Sequence, residues 1–100
     1  MTPRFVFRPA ARADLRAASA WYAAQQDGLE RELRDTIDAA LARIGEHPEL
    51  YAEVDPGIRR AVLRKFPYAI FYRMRADAIE VLAILHHRRD PLVWRARAAV

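Results

Sequence analysis

The chain has 100 residues, 53% of them apolar, and no cysteine. That length fits one domain that buries about two-thirds of its unfolded surface. The composition excludes a disordered chain, a disulfide framework, a thiolate zinc site and a Cys nucleophile. Its 17 basic and 13 acidic side chains give a formal charge of +4.

The first element expected is a strand, Arg4-Phe5-Val6-Phe7-Arg8, short, aromatic and β-branched between Pro3 and Pro9. Pro9 suits the first turn of a helix, where a missing N–H costs nothing. The Ala-rich segment after it places Leu15, Ala18, Trp21, Tyr22 and Gln25 on one side, and Gln26-Asp27-Gly28 breaks it. A second helix is predicted from Leu29 to Glu46, with Leu29, Leu33, Ile37, Leu41 and Ile44 as its apolar stripe. His47-Pro48 ends it, and the tight joint makes the two helices an antiparallel hairpin. Residues 49–57 read as loop, punctuated by Pro56 and Gly57. Three strands follow: Ile58 to Lys65, Tyr68 to Arg75 after a Phe66-Pro67 turn, and Ile79 to His86 across a short hairpin turn. The last is apolar on both alternations, so it is expected at the centre of the sheet. Asp90-Pro91 breaks the chain before a final helical turn within Leu92 to Arg97.

The order β-α-α-β-β-β implies a two-layer α+β domain, a helix hairpin on one face of a mostly antiparallel four-stranded sheet. The other sheet face is expected to lie open, lined by arginines and aromatics. No apolar run approaches the ~20 residues of a membrane span, and the start of the chain lacks a signal peptide's apolar core. A soluble cytoplasmic protein is expected.

Charge divides along the chain. Residues 1–57 hold 7 Arg against 10 Asp and Glu, net −3; residues 58–100 hold 9 Arg and Lys65 against 3 acids, net +7. An anionic partner, nucleic acid or an acidic protein surface, is the functional reading of that asymmetry. Arg-rich strands facing water are the bland one. Strand alternation puts Arg60 and Arg64 on one face and Arg59 and Lys65 on the other or at the edge, with Arg73 and Arg75 together on the next strand. Such a patch suits phosphate or carboxylate, or simply blunts an edge strand against aggregation.

His86-His87-Arg88-Arg89-Asp90 closes the central strand. A histidine beside arginines there suits acid–base work next to a phosphate. A structural hydrogen bond from the histidines, with Arg89 paired to Asp90, is the preferred reading. No Ser-His-Asp set is available, since Ser19 is the only serine. His47, His86 and His87 have no metal-site spacing, and Gly28, Gly45 and Gly57 make no phosphate loop, so neither metal nor cofactor is expected. Trp21, Tyr22, Tyr68, Phe71, Tyr72 and Trp94 have the chemistry to stack on bases, but their spacing is that of packing residues.

The stretch IRRAVLRKFPYAIFYRMRADAIEVLAILHHRRDPLVW resembles the RelE/ParE superfamily of bacterial toxins, in its ParE-like, plasmid-stabilisation branch. Arg59, Phe66-Pro67-Tyr68, Tyr72, the strand ending in His86, and Arg89-Asp90-Pro91 with Trp94 carry the resemblance. Ala13-Asp14-Leu15, Trp21-Tyr22, Leu41 and Pro48 support it more loosely. It implies a toxin held by a cognate antitoxin in a hetero-oligomer, with an acidic antitoxin segment over the basic half. On that basis Arg60, Arg64, Arg73, Arg75, Arg88, Arg89 and Trp94 are the candidate antitoxin- or target-binding residues. The resemblance leaves two targets. ParE-like members poison DNA gyrase without hydrolysing a substrate; RelE-like members cleave mRNA on the ribosome with a Lys/Arg cluster and a late Tyr. With one lysine, and no Tyr after Tyr72, the cleaving set is incomplete. Arg59, Arg60, His86 and Arg89 are the catalytic candidates if cleavage occurs. Gyrase inhibition ranks first, ribosome-dependent cleavage second, and a degenerate module that only binds antitoxin third.

Overall fold

The computed structural model describes residues 3–88 and 91–99. Strand β1 (Arg4–Phe7) leads directly into helix α1 (Pro9–Gln25), with Pro9 in the first turn. There its fixed φ is already helical. Gly28, at φ +87°, makes the left-handed joint that no β-carbon-bearing residue takes cheaply, and α2 (Leu29–Glu46) starts on it. Helix α2 buries Leu33, Ile37, Ala40 and Ile44 while Leu29 and Leu41 are half-buried. The predicted stripe therefore faces the core. Helix α1 buries only Ala11 and Ala18, small residues that let its backbone approach the sheet.

Five strands form the sheet, in the order β1-β5-β4-β3-β2: β2 (Glu53–Asp55), β3 (Ile58–Val62), β4 (Tyr68–Arg75) and β5 (Ala78–His86) complete it. Strand β1 runs parallel to β5, and every other pairing is antiparallel. The extra strand lies in the segment expected to be loop. Pro56-Gly57 makes a tight turn there, with Gly57 at φ +78°, and folds Glu53 back against Arg59. Three residues are too few for a hydrophobic alternation to announce a strand.

Strand β5 is central and buried on both faces. Ile79, Val81 and Ile84 join the helix hairpin's core with Ile70 and Tyr72 of β4. Leu82, Ala83 and Leu85 join a second cluster with Ile58, Ala69 and Phe71. A bulge at Leu82, between the pairs Tyr72↔Val81 and Phe71↔Ala83, puts two successive residues on that second face. The second face is not open. Helix α3 (Pro91–Ala98) lies on it, and Trp94 stacks on Phe71 with ring centroids 5.2 Å apart. The final turn expected at Leu92 is thus a full helix that closes a small core of its own.

The β4–β5 hairpin turns at Ala76-Asp77, with Ala76 at φ +53°. An L-residue pays about 1–2 kcal/mol in that region, and a two-residue hairpin favours glycine there. Ala76→Gly is expected to raise unfolding free energy by about 0.5 kcal/mol after the extra flexibility of the unfolded chain is offset. Urea denaturation checks it by an increased midpoint at unchanged slope.

Candidate functional site

The basic residues of the second half fall into three groups. Arg59 belongs to the scaffold. Its guanidinium donates to the carbonyls of Glu49 and Tyr51 (3.1 and 2.6 Å) and to the Glu53 carboxylate (3.3 Å). The fork thereby clamps the segment between α2 and β2. Tyr72, fully buried beneath it, donates its hydroxyl to the Pro48 carbonyl at 2.6 Å. Burial pushes the Tyr72 pKa up to about 12, against a smaller lowering by Arg59. The raised value means the folded state keeps its proton after the unfolded chain has lost it. Stability from this group is full below pH ~10 and is lost between about 10 and 12, by about 2–3 kcal/mol. Tyr72→Phe should flatten that part of a stability-against-pH profile, and cost about 1 kcal/mol at pH 7 through the orphaned carbonyl.

Four more arginines of this half, joined by Arg8 from the first, meet carboxylates. Arg73 donates to Glu80 at 2.6 Å and to the Ala98 carbonyl at 2.8 Å, which ties α3 to the sheet. Arg8 (3.4 Å) and, more loosely, Arg75 (4.0 Å) complete the ring around Glu80. Burial alone raises the Glu80 pKa, but the hydrogen bonds and charges of Arg73 and Arg8 outweigh it and hold the carboxyl below its usual value. Arg95 meets Asp55 at 3.6 Å. Arg97 grips both carboxylate oxygens of Asp14, whose Oδ2 also accepts the Ile84 N–H at 3.0 Å.

Arg73 is therefore placed in an internal network rather than an open patch, whereas Arg75 stays exposed and only skirts Glu80. Trp94 is buried, only 4% exposed, so it supports α3 and offers no surface to a partner. Arg89 and its suggested pairing with Asp90 lie outside the described residues.

Arg60, Arg64, Lys65 and Arg88 form the third group, exposed and without an ion pair among the described residues. Strand β3 ends at Val62, so Arg64 and Lys65 sit in the β3–β4 turn and not on opposite strand faces. Lys65 takes φ +69°, and the Phe66 N–H bonds back to the Arg64 carbonyl at 2.8 Å. This turn buries Phe66 and holds up the two cations. The end of β5 is tied to it by the His87 N–H on the Pro67 carbonyl at 2.9 Å. His86 and His87 stack at 5.0 Å, and His86 Nδ1 accepts the Arg88 N–H at 3.2 Å. Partial loss of water, then the charges of His86, Arg88 and Arg60, lower the His87 pKa. The hydrogen-bonding role expected for this pair is thus present in His86.

Two of the clefts among the described residues bear on binding. One, of about 450 Å³, runs between α1 and the β4–β5 end and is lined by Asp14, Trp21, Tyr22, Pro67, Tyr68 and His86, among others. Trp21 is 56% exposed there, although helical spacing assigns it to the packed side. Its position at the outer end of an Ala-rich helix, beyond the last buried Ala18, is the signal that marks it. Burial, then the neighbouring Tyr68, raises the Tyr22 pKa, so the Tyr22 phenol keeps its proton at pH 7. The second cleft, about 470 Å³, lies on the hairpin, with Phe7, Leu15, Ile37 and Leu41 below and Arg12, Arg16, Arg34 and Asp38 at its rim. These arginines belong to the acidic half, where net charge hides them.

A helix hairpin on a mixed sheet, with a cationic pole and open clefts, defines a small α+β domain. Residues 5–91 match the family described as ParE toxin of the type II toxin–antitoxin system, parDE, and the chain belongs to that family. It is 33% identical over 92 residues to Toxin ParE2 of Mycobacterium tuberculosis, in strains CDC 1551 / Oshkosh and ATCC 25618 / H37Rv. Each alignment spans 91% of this chain and 88% of the relative. A solved chain of the chromosomal ParDE system from P. aeruginosa shares the fold, with a TM-score of 0.69 at 22% identity, covering 85% of this chain and 96% of that one. The chain is thus a type II toxin, as its C-terminal motif implies.

Proposed function

We propose that this toxin arrests growth by inhibiting DNA gyrase in the cytoplasm, through binding and without a catalytic site, and that a cognate antitoxin neutralises it. The family match over residues 5–91 carries the reading. The commitment of Arg59 to Glu49, Tyr51 and Glu53 supports it, because a guanidinium so engaged is not poised to steady a scissile phosphate. The hairpin cleft is suited to an amphipathic antitoxin helix, with its apolar floor for the helix's apolar face and Arg12, Arg16 and Arg34 for acidic side chains. A supercoiling assay with purified toxin tests the target: inhibition that added antitoxin reverses is expected, and active gyrase at excess toxin rejects it. Arg16→Glu with Arg34→Glu should weaken antitoxin binding at least about tenfold by calorimetry, since like charges then face each other.

A second reading is favoured by one observation, the exposed His86 beside free cations at a cleft. As a ribosome-dependent ribonuclease, the protein would use His86 to move the proton and Arg60 to hold the phosphate. Toeprinting of translated mRNA separates the two, with cuts lost in His86→Ala for cleavage and no cuts for gyrase inhibition. Normal growth on induction without antitoxin would reject both and leave a module that only binds antitoxin.

A further inference from the structure

The basic half leaves a remainder once its ion pairs are made. Arg59, Arg73, Arg75, Arg95 and Arg97 each meet a carboxylate. Arg60, Arg64, Lys65 and Arg88 meet none among the described residues, and the fold gathers them at one pole. Arg64 and Lys65 are in the turn before Pro67, and Arg88 follows His87, whose N–H holds the Pro67 carbonyl. Arg60 comes from β3 just before this turn, on the sheet face that carries Ile58 and Phe71, where its charge reaches His87. The 450 Å³ cleft opens at this rim, since Pro67, Tyr68 and His86 form one of its walls. Across it stands Trp21. Among the described residues Asp14 is the one carboxylate lining the cleft, and Arg97 neutralises it with both arms of its guanidinium.

We propose that this pole binds a single-stranded nucleic acid, with phosphates on Arg60, Arg64, Lys65 and Arg88 and a base in the cleft against Trp21, Tyr68 and His86. Charge by itself suits any polyanion, an acidic peptide included. The rings decide between them. An exposed tryptophan facing a Tyr68–His86 pair, whose centroids are 6.2 Å apart, offers flat surfaces that stack on a base. A guanidinium fork matches a phosphate's two oxygens. A duplex keeps its bases stacked inside and would use the cations alone. The inference concerns binding only, and it stands whether or not gyrase is the target.

Fluorescence anisotropy with a labelled 12-nucleotide single strand, as DNA and as RNA, tests it on the purified full chain. Four phosphate contacts predict a slope of log K against log salt near −3, which is about a fiftyfold weakening between roughly 50 and 200 mM salt. Arg64→Glu with Lys65→Glu should weaken binding at least about tenfold and reduce the slope, whereas Arg43→Glu, on α2, should not change it. Trp21→Ala should weaken binding about fivefold or more and leave the slope unaltered, the mark of a lost stack rather than a lost charge. Circular dichroism confirms that each variant is folded. The proposal is overturned by no binding at low salt, by equal loss in Arg43→Glu, or by tighter binding of a poly-glutamate peptide. Duplex DNA binding as well as the single strand, with Trp21→Ala neutral, overturns the base in the cleft. A preference for DNA or for RNA identifies which strand the pole serves.

Discussion

Trp94→Ala is expected to lower unfolding free energy by about 3–5 kcal/mol, the largest loss from any single substitution in α3. Trp94 is 4% exposed and lies flat on Phe71, within a cluster of Ile58, Ala69, Leu82, Ala83 and Leu85. Removing the indole strips that side of the sheet of its cover. Pro91–Ala98 is only 8 residues, too short to persist as an isolated helix, so it should detach. Against a total stability of about 5–15 kcal/mol, much of the fold's margin disappears. Thermal unfolding measures the loss, and faster proteolysis within residues 91–99 locates it. Trp94→Phe keeps a ring on Phe71 and should cost less than half as much. Equal stability of Trp94→Ala and the parent would mean that α3 contributes no core.

Asp14→Ala should cost about 3 kcal/mol. Strand β1 ends its pairing at Phe7↔Val81, so β5 continues beyond it without a neighbour on that side. The Ile84 N–H is a ladder donor left over by that stop, and the Asp14 carboxylate accepts it. The same carboxylate holds Arg97, with side-chain exposures of 11% and 22%, and Arg97 Nη1 also donates to the Leu82 carbonyl at 3.3 Å. One residue thus joins α1, β5 and α3. Alanine leaves an unpaired guanidinium and an unsatisfied strand N–H, both largely away from water. Asp14→Asn retains an acceptor for Ile84 but not the charge, and should lose roughly half as much. A double-mutant cycle with Arg97→Ala should give a coupling of at least about 1 kcal/mol. Additive effects would show that the two side chains do not act as a pair.

Much of this architecture is legible locally. Leu33, Ile37 and Ile44 report a helix by their spacing, Pro9 marks the start of another, and the run from Val81 to Leu85 can only be a buried strand. Strand β2 is not legible, because three residues hold no period. Neither is the role of Asp14. Its neighbours in sequence are Ala13 and Leu15, while its partners are 70 and 83 residues away.

The candidate site was legible as composition and not as a place. Sequence counts ten cations after Gly57, and it cannot tell which of them find carboxylates. Glu53, Asp55 and Asp14, all from the acidic half, take up Arg59, Arg95 and Arg97. Glu80 gathers Arg73, Arg75 and Arg8. The predicted basic face therefore shrinks to a pole around Arg60, Arg64, Lys65 and Arg88. Trp94 moves the opposite way, from candidate contact to core, because the second sheet face had to be covered by something and α3 was within reach.

The linear chain carries the two long helices, four of the five strands, the toxin family and the sign of the second half's charge, since periodicity, motif and composition are properties of sequence alone. Which charges remain free is settled by folding. An ion pair forms between groups brought together by folding, and the acids that quench this basic half come largely from the other end of the chain.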